Sequence, residues 1–173
     1  MRARRTRSSH ALRALRLAFL LAALALGACA APVFRQVPAT AVTPLEAARE
    51  PQRHAGTAVV WGGKILDVRN LVDETEVQLA VYPLDPAQRP QQSEPVLGRV
   101  IVVLPGFADP LDFPPGRFVT VLGHLDGTRT RYIGDAERAL AVLRRDALHL
   151  WPVNFPRERS RVSFGVGIGV GIR

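Results

Sequence analysis

This chain of 173 residues is short of several things, and each shortage closes a route. It has one cysteine, Cys29, so no intrachain disulfide and no cysteine-built metal centre can form. It has one lysine, Lys64, and only 6% aromatic residues. No apolar run reaches the roughly 20 residues that a bilayer-spanning helix needs. The longest, Leu17 to Leu26, has ten. His54, His124 and His149 are scattered without metal-ligand spacing. Ser93, Ser160 and Ser163 lie outside any Gly-x-Ser-x-Gly elbow. Asp109 and Asp112 are near enough to pair as acid and base, but Pro110 between them reads as a turn. The glycines near the C-terminus lack the strand-to-helix context and the lysine of a phosphate loop. No metal, no cofactor and no enzymatic activity are expected.

What is present begins with charge at one end. Arg2, Arg4, Arg5, Arg7, Arg13 and Arg16 precede the apolar run, which closes on Leu26-Gly27-Ala28-Cys29. A basic head, a short apolar segment and a small-residue site make a secretory signal peptide. The ending resembles a bacterial lipobox, cut between Ala28 and Cys29, with the Cys29 thiol as lipid acceptor. An ordinary secretion signal and an uncleaved anchor helix are the two readings set aside. At about 0.8 kcal/mol per buried CH₂, three acyl chains hold a protein on a membrane essentially permanently. Ala30 follows the cysteine instead of Asp, which by similarity to Gram-negative lipoproteins points to the outer membrane. Without residues 1–28 the formal charge falls from +8 to +2, which weakens any nucleic-acid reading.

The remainder is rich in Val, Leu, Pro and Gly, which predicts a mainly β domain with many turns. Residues 29–42 lack a period and read as a tether. Thr43-Pro44-Leu45-Glu46 starts a helix of about two turns, with Thr43 as cap, that ends before Pro51 and closes one end of a barrel. Residues 57–69 form a long strand bent or bulged at Gly62-Gly63 in preference to a hairpin there. Thr75, Val77, Leu79 and Val81 share one face of the next strand. Residues 83–95 form a proline loop, and 98–104 a central strand apolar on both faces. Residues 117–125 form a fourth strand, with Asp126-Gly127 as a hairpin turn to 128–133. Residues 136–145 read as helix or as extended chain. Residues 147–151 form a last strand. Val162 to Ile172 alternates glycine with large apolar residues and reads as an edge strand, a partner strip or a disordered end. Arg157, Arg159 and Arg161 precede it as a solvated basic run.

Trp61-Gly-Gly-Lys-Ile65, Val81-Tyr-Pro-Leu-Asp85, Gly98-Arg99, Gly106-Phe-Ala-Asp-Pro110, Arg117-Phe-Val-Thr-Val-Leu-Gly123 and Leu148-His-Leu-Trp151 together resemble the Slp family. These are starvation-inducible outer-membrane lipoproteins of Gram-negative bacteria. The ordered set covers about residues 41–152. It implies an outer-membrane lipoprotein with a small barrel of the OB type, which the five or so strands independently suit. The last twenty residues depart from the family's aromatic tail. The expected division is a signal peptide (1–28), a lipidated tether (29–42), an OB-like β-barrel (43–153) and a glycine-alternating tail (154–173).

An OB face stacks bases on aromatics set among basic residues. Tyr82, Phe118, Tyr132 and Trp151, with Arg99, Arg117, Arg129 and Arg131, are the residues that could do so. Core aromatics with ordinary surface charge is the preferred reading, so no nucleic acid is expected. The expected role is structural or partner-binding: a membrane contact through the lipid and an unknown envelope protein as partner. The alternative is a small-molecule or glycan module using a barrel face at Tyr82, Phe118 and Tyr132.

Overall fold

A computed structural model describes residues 31–35 and 41–155. Cys29, the expected signal peptide, the 157–161 basic run and the glycine-alternating tail lie outside them. Two short helices come first, α1 (Pro44–Arg49) and α2 (Pro51–His54). Five strands follow: β1 (Ala58–Asn70), β2 (Glu74–Tyr82), β3 (Gly98–Pro105), β4 (Phe118–Ile133) and β5 (Ala136–Leu150). They close into a barrel in the order β1-β2-β3-β5-β4, with β3 and β5 parallel and every other pair antiparallel. That is the five-stranded OB architecture.

Period-two patterning builds the interior. Val59, Trp61 and Ile65 of β1, Val77, Leu79 and Val81 of β2, Val100 and Val102 of β3, Val119 and Val121 of β4, and Leu143 of β5 all point inward and are buried. Each such side chain contributes about 1.5–3 kcal/mol relative to exposure. The two barrel ends are sealed differently. At one, Thr43 caps α1, its Oγ1 accepting from the Glu46 N–H at 3.2 Å, and Ala47 drops into the core. At the other, Ala108 and Phe113 pack in from the loop after β3.

The glycine pair in β1 is no hairpin. β1 runs through it unbroken and pairs there with β2 on one side and β4 on the other. The register shift falls later, between Ile65 and Asp67. Gly63 is needed because a Cβ there would lie 2.2 Å from the Ala80 carbonyl oxygen.

Two expectations are corrected. Asp126-Gly127 is not a hairpin turn. β4 continues through it with a register shift between Leu125 and Thr128, so the pair forms a bulge that bends the strand. The chain reverses at Gly134-Asp135, where Gly134 takes φ +61°, the conformation a two-residue hairpin needs at its first position. Residues 136–150 are then one strand, not a helix or extended piece followed by a separate strand.

The distal β4–β5 arm curls over the outside of β2 and β3. Ile133 packs on Ile101, Val103, Leu140 and Val142. β3 and β5 are therefore apolar on both faces because both faces are covered.

Candidate functional site

Two regions of the barrel exterior carry polar chemistry. The first is the arm. Arg129 and Arg131 donate to the Glu76 carboxylate on the outer face of β2, and Arg129 also reaches Glu74 at 2.7 Å. Arg144 holds Asp126 at the bulge, Nε to Oδ2 at 2.5 Å. Burial works to raise the Glu76 carboxyl, but hydrogen bonds and positive charge from Arg129 and Arg131 prevail and hold it below the ordinary range. In OB barrels the β2–β3 face between the β1–β2 and β4–β5 loops is where oligomers bind. Here the arm lies across that face, and two of the four arginines from the base-stacking set are bound to glutamate.

The second region is the flank where β1, β4 and the end of β5 meet. Trp151, Phe118, Tyr82 and Phe155 cluster there, with Phe155 stacked on Trp151 at 4.8 Å and Phe118 6.2 Å from Tyr82. The proline loop folds back over them. Asp85 makes its turn, accepting from the N–H groups of Ala87 and Arg89 at 3.0 and 2.9 Å. This leaves Gln88 at φ +62°, the one non-glycine residue with positive φ among the described residues. Such a conformation costs about 1–2 kcal/mol and persists only where its surroundings enforce it.

The surroundings are specific. The Gln88 carbonyl accepts from Thr120 Oγ1 at 2.8 Å, and Thr120 Oγ1 accepts from Trp151 Nε1 at 2.9 Å. The Gln88 side chain faces outward and grips the tether. Its Oε1 accepts from the Phe34 N–H at 2.7 Å, and its Nε2 donates to the Phe34 carbonyl at 3.0 Å. Val33 packs against the aromatic cluster. The Arg89 guanidinium lies 5.7 Å from the centre of the Trp151 ring. His149 sits edge-on to the same ring at 4.4 Å, and burial pushes its imidazole down.

The structure does not bring Tyr82, Phe118 and Tyr132 to one face. Tyr82 and Phe118 are buried together under the proline loop, and Tyr132 stands exposed on the arm. Asp109 serves a turn, its Oδ1 accepting from the Leu111 N–H at 2.9 Å. No group of three metal-binding side chains occurs among the described residues. A cleft of about 270 Å³ opens beside Trp61, Tyr82, Pro83, Leu84 and Leu97, and its lining includes no charged side chain. The Trp61 indole N–H is already taken by the Val42 carbonyl at 3.0 Å.

Strand order and sealed core define the class: a small OB-type barrel set behind a lipoprotein-like N-terminus. Residues 26–166 match the Outer membrane lipoprotein Slp family. The chain belongs to this family and is an outer membrane lipoprotein. The matched span is longer than the 41–152 expected from motifs and begins three residues before Cys29. An uncharacterized lipoprotein of Escherichia coli K12, YeaY, is 35% identical over 101 residues, 58% of this chain and 52% of the relative. The outer membrane protein Slp of the same organism is 26% identical over 102 residues, 59% of this chain and 54% of the relative. The chain thus spans about half the length of the curated relatives it matches. A small single-stranded DNA-binding protein from Streptomyces coelicolor aligns with a TM-score of 0.35 and 16% identity, over 55% of this chain and 94% of that one. At that score it carries no argument about ligand.

Proposed function

We propose that Cys29 is the acylated residue and that the barrel is a non-enzymatic module, held at the outer membrane to bind or brace an envelope protein. The observation that carries this is the family match, which spans residues 26–166 and so takes in both Cys29 and the barrel. The Glu76 network supports the absence of nucleic acid, because the arginines it engages are already neutralised.

Labelling cells with a clickable palmitate analogue tests the anchor. The account expects label on the native protein and none on Cys29→Ala. Equal label on both would refute it.

A second reading has one observation in its favour, the apolar cleft beside Trp61 and Tyr82. It would make the protein a small-molecule or glycan module. A thermal-shift screen with cell-wall fragments should then show stabilisation that Leu97→Trp, which fills the cleft, abolishes.

A further inference from the structure

The proposal rests on the Cys29 anchor and concerns how the barrel meets the membrane. Five large apolar side chains among the described residues are at least three-quarters exposed: Val72 at 97%, Leu111 at 86%, Val153 at 79%, and Phe107 and Tyr132 at 75%. Tyr132 is on the arm. The other four stand on one rim, where β1 and β3 end, β2 and β4 begin, and the chain leaves β5. Hydrogen bonds tie their loops in two pairs. The Gly106 N–H donates to the Asp73 carbonyl at 2.9 Å, which sets Phe107 beside Val72. Arg117 donates to the Asp112 carbonyl at 2.7 Å and the Trp151 carbonyl at 3.2 Å, which draws the loops of Leu111 and Val153 together. Single exposed hydrophobes are ordinary, but four from three converging loops make a patch.

The length of chain before the barrel says what covers it. Val33 packs against the cluster of Ala80, Tyr82, Phe118, Trp151 and Phe155, in which Phe118 opens β4 and Trp151 and Phe155 follow the end of β5, on the side of this rim. Three residues lie between Cys29 and Val33, and the four steps of chain, fully extended, reach about 14 Å. Acyl chains leaving that sulfur therefore place the leaflet surface close to this rim.

We infer that the rim is a second membrane contact: Val72, Phe107, Leu111 and Val153 enter the headgroup region of the phospholipid leaflet that holds the acyl chains. The rim carries Asp73, Asp109 and Asp112 against Arg117, so the contact is apolar and does not depend on anionic lipid.

The test uses the acylated full-length protein in phosphatidylcholine vesicles, with Phe107→Cys, Leu111→Cys or, on α2 at the opposite end of the barrel, Gln52→Cys carrying an environment-sensitive fluorophore. Lipid-borne nitroxide should quench the probes at 107 and 111 and leave the probe at 52 bright. The same pattern is expected when anionic phosphatidylglycerol is added. A protein that floats with the vesicles but whose 107 and 111 probes stay unquenched overturns the rim contact alone. So does a blue-shifted probe insensitive to lipid nitroxide, as a second copy or a bound protein on that rim would give. A protein that does not float overturns the anchor and the rim contact together.

Discussion

The side-chain amide of Gln88 closes both main-chain hydrogen bonds of Phe34, accepting from its N–H and donating to its carbonyl. The two residues lie 54 apart in the chain, so a loop between strands pins the segment that follows Cys29. With Cys29 acylated as proposed, the leash from lipid to barrel is thereby shortened from the fourteen residues of an unattached tether to the few before Val33.

Gln88→Ala should release the leash and leave the barrel folded. Two part-buried hydrogen bonds are worth about 1–3 kcal/mol together. Hydrogen exchange at the Phe34 amide should accelerate about fivefold or more, while amides of β2 and β3 keep their protection.

Thr120→Val should cost more. Thr120 is fully buried and bridges the Trp151 indole N–H to the Gln88 carbonyl. Valine leaves both groups without a partner, a loss of about 2–4 kcal/mol in denaturant unfolding. Thr120→Ser should recover most of it.

Glu76 gives the protein an acid-sensitive clasp. Its carboxyl is held below the ordinary range when folded, so the stability it supplies is full above about pH 4.5 and is lost as pH falls through the lowered folded value. Glu76→Gln should lose about 1–3 kcal/mol at pH 7, discounted for the partial exposure of both arginines. Between pH 7 and acid its stability should also fall less steeply than that of the native protein. Melting curves across pH check both.

Glycine substitutions should separate by geometry. Gly63→Ala and Gly123→Ala each drive a methyl onto backbone, 2.2 Å from the Ala80 oxygen and 2.1 Å from the Arg144 oxygen. Both should lose on the order of 3 kcal/mol or fail to fold. Gly127→Ala faces open space at φ +73° and should lose only about 1–2 kcal/mol.

Much of the barrel was legible because period-two patterning reports burial directly, as in Thr75, Val77, Leu79 and Val81. The helix start at Thr43-Pro44 was equally readable, since capping is local chemistry. The β4–β5 arm was not. Two turn signals eight residues apart, Asp126-Gly127 and Gly134-Asp135, compete, and only pairing with β5 decides that the first is a bulge. Leu140 to Leu143 gave no clear period because Leu140 and Val142 face the arm while Ala141 and Leu143 face the core. The Gln88 grip left no trace in sequence. It depends on a positive φ at a glutamine and on a partner 54 residues away.

The most direct test of the account is the mass of the N-terminal peptide of protein taken from the outer membrane. The account predicts a peptide that begins at Cys29 and carries acyl chains on it. A peptide that begins elsewhere, or holds Cys29 as a free thiol, would contradict it.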